Sequence, residues 1–186
     1  MTVRDATADD AAACAAIYAP YVRDTAITFD TDPPDTDEFA RRIAHAQDRW
    51  AWFVAEDGDR VVGYAYAAEY KSRAAYQWSC EVSVYLEIGL RRTGLGRALY
   101  ETLLARLTER GHRMAVAGMT LPNPASEGLH RALGFEPAGA LRRIGWKHGA
   151  WHDVALLQRP LGAPADPLSE PGSSANPLIR REVPRR

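Results

Sequence analysis

Val82-Ser83-Val84-Tyr85-Leu86 is followed, four residues later, by Arg91-Arg92-Thr93-Gly94-Leu95-Gly96. The first run alternates as a half-buried strand should. The second places two glycines at the start of a leucine-rich helix. A strand that feeds a glycine-punctuated turn at a helix N-terminus has anion-binding geometry. The first-turn amides lack intrahelical partners, and the helix dipole adds partial positive charge there. Gly94 and Gly96 let a phosphate approach the main chain, and Arg91 and Arg92 add charge at the rim. Two other phosphate loops are excluded. No G-x-x-x-x-G-K-[ST] is present, and Leu99 stands where a dinucleotide fingerprint needs its third glycine or alanine. On residues alone, R-x-x-G-x-G reads either as a phosphate site or as a plain turn before a helix.

Working outward, Leu95, Leu99, Leu103 and Leu107 recur every four residues, and Gly111 follows, so the pattern predicts a helix over 94–110. Strands are predicted at 2–4, 52–56, 61–69, 78–88, 114–118, 135–144 and 151–158, with Asp57-Gly58 as a hairpin turn. Three further helices are predicted: Asp9 or Asp10 to Tyr18, Thr36 or Asp37 to His45, and Pro124 to Leu133. The order is α+β, with about seven strands and four helices. In the 78–88 strand, Val82, Val84, Leu86 and Ile88 should share one face and Glu81, Ser83 and Tyr85 the other.

The chain has 186 residues, a formal net charge of −1, two cysteines and 46% hydrophobic residues. That balance argues against a nucleic-acid partner, whose footprint is basic. No run approaches the roughly 18 apolar residues of a membrane span, and Met1 to Asp10 has no signal-peptide core. Cys14 and Cys80 cannot build a disulfide framework, which points to a reducing cytoplasmic setting. Residues 162–186 hold five of the twelve prolines and no aromatic residue. They read as a flexible Pro/Ser/Arg-rich tail after a domain at 1–161.

Several further runs occur in order along the chain: Trp52-Phe53-Val54-Ala55-Glu56, Lys71-Ser72-Arg73-Ala74-Ala75-Tyr76, Glu81-Val82-Ser83-Val84-Tyr85, Leu121-Pro122-Asn123, Leu129 to Phe135 and Lys147 to Val154. With the R-x-x-G-x-G turn they resemble the GNAT superfamily, and within it the phosphinothricin acetyltransferase family. The resemblance covers about 160 residues. It implies a GNAT fold with a mixed, mostly antiparallel sheet, often in a homodimer. It implies acetyl transfer from acetyl-CoA to the α-amino group of a small amino-acid-like acceptor of the phosphinothricin, methionine sulfone or methionine sulfoximine type.

On this resemblance Glu81 matches the general base that takes the amine proton. Taken by itself, Glu81 also suits a structural ion pair. His130 matches the position where many GNAT enzymes carry a tyrosine beside the leaving thiol. The resemblance assigns acetyl-CoA to the main chain of Val84, Tyr85 and Leu86, to Arg91, Arg92, Thr93, Gly94, Leu95 and Gly96, and to Asn123 and Ser126. Asn123 also suits a helix cap with Pro124 in the first turn, leaving Ser126 and His130 on one face. Leu129, Ala132 and Leu133 would form a neighbouring buried stripe.

For the acceptor, Lys71 and Arg73 are two close cations suited to a carboxylate or phosphinate. With Tyr76 and Phe29 they match the family's acceptor positions. His148 and His152 have weak spacing for zinc, so no metal is expected. A structural or dimer-contact role suits the two histidines better, and Trp151 and Val154 should form a buried face. Two other readings compete: a GNAT enzyme for another amine or peptide N-terminus, and an acyl-CoA-binding module without catalysis. The Lys71/Arg73 pair opposes cationic polyamines.

Overall fold

The computed structural model describes residues 1–90 and 93–162. Seven strands form one sheet: β1 (Thr2–Asp5), β2 (Ala51–Asp57), β3 (Arg60–Glu69), β4 (Ser79–Leu86), β5 (Met114–Thr120), β6 (Glu136–Lys147) and β7 (Ala150–Pro160). Four α-helices accompany them: α1 (Ala11–Asp24), α2 (Thr36–Arg49), α3 (Leu95–Glu109) and α4 (Pro124–Ala132). The strand order is β1-β2-β3-β4-β5-β7-β6. β4 and β5 pair in parallel, and the other five neighbouring pairs are antiparallel.

Each face of the sheet has its own core. On one, α3 buries Leu95, Leu99, Tyr100, Leu103, Leu104 and Leu107 against Phe53, Val62, Ala65 and Val82. Each large side chain removed from water is worth roughly 1.5–3 kcal/mol. On the other, α1 and α2 bury Cys14, Tyr18, Val22, Phe39 and Ile43 against Trp52, Val54 and Tyr64. The alternation predicted for β4 holds. Val82, Val84 and Leu86 pack in the α3 core, while Tyr85 packs in the α1/α2 core. Ile88 departs from it. The strand ends at Leu86, and a turn closed by the Leu90 amide on the Glu87 carbonyl leaves Ile88 54% exposed.

Two helices outrun their predicted ends. α1 continues through Pro20 to Asp24, because Tyr18 and Val22 are buried against the sheet and this outweighs the missing proline N–H. α2 continues to Arg49, burying Ala46, while the Gln47 amide donates to the Ala6 and Trp52 carbonyls. The β2–β3 turn is Gly58-Asp59, one residue later than predicted, with Asp57 paired to Arg60. β6 is broken by register shifts at Pro137/Gly139 and Leu141/Gly145. The second is anchored by the Arg143 amide, which donates to Asp153 at 2.7 Å. Trp151, predicted to be buried, is 49% exposed, as is its neighbour Trp146 at 58%. Both lie on the β6–β7 hairpin at the sheet edge. The predicted tail lies outside the described residues except for Gly162.

Candidate active site

β3 accompanies β4 along its length, from Glu69↔Cys80 to Gly63↔Leu86. β5 pairs with β4 only at Ser79, Cys80 and Glu81. The two strands then part, so Val82–Leu86 has no strand partner on the β5 side among the described residues. Buried main-chain polar groups need partners, and an open edge inside a sheet is where a ligand can supply them. The Leu86 carbonyl accepts from Tyr21 Oη at 2.7 Å, and the Val82 carbonyl lies 3.5 Å from Tyr100 Oη.

Two helix N-termini flank this gap. Gly94 caps α3 at φ +78°, a left-handed conformation that costs other residues energy. Thr93 Oγ1 accepts from the Leu95 amide at 3.4 Å. A Cβ added at Gly96 would meet Leu129 at 3.4 Å and Leu86 at 3.7 Å, so glycine brings α3 close to both β4 and α4. Arg91 and Arg92, the rim cations of the sequence argument, lie outside the described residues. At α4, Asn123 Oδ1 caps the helix by accepting from the Ser126 amide at 3.2 Å, with Pro124 in the first turn.

His130 is the buried residue of α4, at 3% exposure, whereas Ala132 of the predicted apolar stripe is exposed. His130 Nδ1 lies 2.8 Å from the Ser126 carbonyl, which can only accept, so Nδ1 carries the proton. Nε2 is then an acceptor for Tyr100 Oη at 3.2 Å. Burial lowers the His130 pKa, which keeps the ring neutral. Phe135 stands against it at 5.0 Å between ring centroids.

Glu81 lies where β4 and β5 begin to part, on the α1/α2 face. Gly118 of β5 leaves room for it, since a Cβ there would lie 3.6 Å from Glu81 Oε1. Glu81 itself is exposed at the gap, and the protein around its carboxyl desolvates it and raises its pKa. No side chain among the described residues forms an ion pair with it, so the structural-pair alternative has no partner here. On the same face, Tyr66 sits opposite Ser83, and burial raises the Tyr66 pKa. Neither Tyr66 nor Ser83 was singled out from sequence. Alternation along β4 already puts Ser83 on the Glu81 face, and cross-strand register brings Tyr66 to it.

Phe29 reaches this face through its segment. Tyr18 Oη bonds Thr28 Oγ1 and donates to Asp30 Oδ2 at 3.0 Å, and the Tyr18 ring meets Tyr85 edge-on at 4.9 Å. Lys71, Ser72, Arg73 and Tyr76 line a separate cavity of about 340 Å³ in the β3–β4 loop, which ends just before Glu81. Lys71 Nζ lies 5.2 Å from the Tyr70 ring centroid and 5.4 Å from that of Tyr76. Among the described residues neither Lys71 nor Arg73 forms an ion pair. The predicted acceptor residues thus fall into two places, with Phe29 off the cavity lined by the other three. His148 and His152 each hold a main-chain carbonyl, of Thr25 and Lys147 respectively.

Residues 3–156 match the family model described as an acetyltransferase (GNAT) domain. The chain is 42% identical over 167 residues to phosphinothricin N-acetyltransferase of Streptomyces viridochromogenes, covering 90% of this chain and 91% of that protein. It is 33% identical to the L-methionine sulfoximine/L-methionine sulfone acetyltransferase of Salmonella typhimurium, covering 90% and 98%. The fold superposes with a TM-score of 0.87 on a phosphinothricin acetyltransferase from Sinorhizobium meliloti in complex with AcCoA, at 37% identity and 95% coverage of both chains. The split between β4 and β5, the left-handed Gly94 cap and the match over most of the chain agree: this protein belongs to the GNAT acetyltransferase family.

Proposed function

We propose that this chain transfers an acetyl group from acetyl-CoA directly to the α-amino group of a small amino-acid-like acceptor of the phosphinothricin or methionine sulfone type. The observation that carries this reading is the parting of β4 from β5 directly after Glu81. It leaves an open strand edge and a carboxylate at one point in the sheet. The main chain of Val84, Tyr85 and Leu86, the Thr93–Gly96 turn, and Asn123 and Ser126 would hold acetyl-CoA, which supplies the acetyl thioester. Arg91 and Arg92 would hold its phosphates.

Glu81, with its raised pKa, accepts the ammonium proton of the acceptor, directly or through one water. His130 stands on the thiol side, its Nε2 accepting from Tyr100 Oη beside the open edge. Lys71 and Arg73 receive the acceptor's acidic group, with Tyr76 and Phe29 against its body. The relatives named for phosphinothricin and methionine sulfone support this choice of acceptor. In this reading residues 1–161 are the catalytic domain.

The test is thiol release from acetyl-CoA with phosphinothricin, methionine sulfone and spermidine. The two amino-acid analogues should react and spermidine should not. Glu81→Gln should lower kcat about a hundredfold, with the acetyl-CoA KM nearly unchanged. Full activity of that variant at neutral pH would overturn the role of Glu81. We also read the chain as a homodimer, supported by Leu141, Ile144, Trp146 and Trp151 exposed together on the β6–β7 hairpin. Sedimentation should give twice the chain mass, and Trp151→Arg should shift it toward the monomer.

A further inference from the structure

The Lys147 to Val154 run has no part in the chemistry above, yet the tip of the β6–β7 hairpin lies against the 25–30 segment. This segment between α1 and α2 forms neither helix nor strand. Its main chain is held largely by side chains. Thr25 Oγ1 donates to the Tyr21 carbonyl at 2.7 Å and accepts from the Ile27 amide at 3.1 Å. Two of its carbonyls are bonded from the hairpin. Lys147 Nζ donates to the Thr28 carbonyl at 2.8 Å, and His148 Nε2 donates to the Thr25 carbonyl at 3.1 Å.

Lys147 is an unusual residue to find there. It is 6% exposed, and charged side chains are rarely buried without a partner. Burial lowers its pKa while the nearby Asp30 carboxylate favours its charged form. Its ammonium group donates to a main-chain carbonyl 119 residues away in sequence, directly before Phe29. Phe29 in turn lies on Gly145, two residues before Lys147 in β6. Any side chain at Gly145 would collide with the Phe29 ring. The His152 ring stands 6.2 Å from it.

We propose that Lys147 and His148 clasp the 25–30 segment by its carbonyls, and with the bare backbone of Gly145 set the position of Phe29 over the acceptor. This rests on the reading of Phe29 as an acceptor contact. Lys147 is a positioning residue, acting through Phe29 and touching neither substrate.

The test has two independent readouts. Steady-state kinetics on Lys147→Met should show the acceptor KM raised about tenfold, with the acetyl-CoA KM unchanged. Lys147→Arg, which keeps a donor and the charge, should recover most of that loss. His148→Asn suits the positive φ at that position but is too short to reach, and should raise the acceptor KM about threefold. It guards against a Lys147 variant that fails to fold. In a Phe29→Ala background, Lys147→Met should add less than about twofold, because the two act through one contact.

The second readout is amide hydrogen exchange of the free protein. Exchange in 25–30 should quicken in Lys147→Met and in His148→Asn while β2 and β3 stay protected. Unchanged exchange in both variants overturns the clasp. Quickened exchange with an unchanged acceptor KM overturns the positioning role. If the wild type acetylates no amino-acid analogue, the acceptor reading falls, whatever the exchange shows of the clasp.

Discussion

At the residue scale, desolvation acts in opposite directions on Glu81 and His130. Both are shifted toward the neutral form, Glu81 upward and His130 downward. For Glu81 this makes the deprotonated form a better proton acceptor, and kcat/KM should rise with pH across a carboxylate titration displaced upward from its usual range. The same shift has a stability sign. A carboxyl whose folded pKa exceeds its unfolded value binds protons better when folded, so stability is lost as pH rises between the two. Glu81→Gln, though slowed about a hundredfold, should therefore melt no lower than wild type at neutral pH, and a calorimetric scan checks it. A lower melting temperature would mean that Glu81 has a favourable partner after all. Both residues were legible as candidates from sequence. The hydrogen-bonding state of His130 was not, because it depends on Tyr100 from another helix.

At the element scale, the strand-turn-helix from β4 to α3 was the most legible part of the chain. Its leucine repeat and its glycines state their conformation locally, and Gly94 does take the left-handed cap position. Gly94→Ala should cost roughly 1–2 kcal/mol of stability and raise the acetyl-CoA KM more than the acceptor KM. Denaturant unfolding and paired KM measurements check the two effects. Equal rises in both KM values would detach this turn from the donor. Elements whose limits depend on partners were less legible. Ile88 continued the alternation on paper but lies past the turn, and Ala132 fitted the apolar stripe but faces outward. Trp151 looked like core by composition and is instead exposed on the hairpin.

At the scale of the whole molecule, two cores on either side of one sheet keep the gap between β4 and β5 open. Two buried histidines should make that assembly acid-sensitive. His112 sits behind α3 with Nε2 near the Arg49 carbonyl and Nδ1 unpaired among the described residues, and burial lowers its pKa from 6.5. The His130 pKa is lowered likewise. The neutral rings stabilise the fold fully above the unfolded value, and that contribution is lost as pH falls through the depressed folded values. The melting temperature should therefore drop as pH is lowered from about 7 to 5, and His112→Gln should flatten the drop. An unchanged slope would assign the acid loss to the carboxylates.

The sequence by itself determined the class of fold, the order of the elements and the glycine turn before α3, and it made Glu81 a candidate. All of these are written in short-range periodicity, in glycine positions and in motifs that keep their order along the chain. Only the tertiary structure decided that β4 parts from β5 after Glu81, that Tyr66 stands opposite Ser83 on the face of the carboxylate, and that Lys147 reaches back to the carbonyl before Phe29. Those relations join residues from 17 to 119 positions apart. Strand register and the packing of two faces set them, and no local pattern of side chains records either.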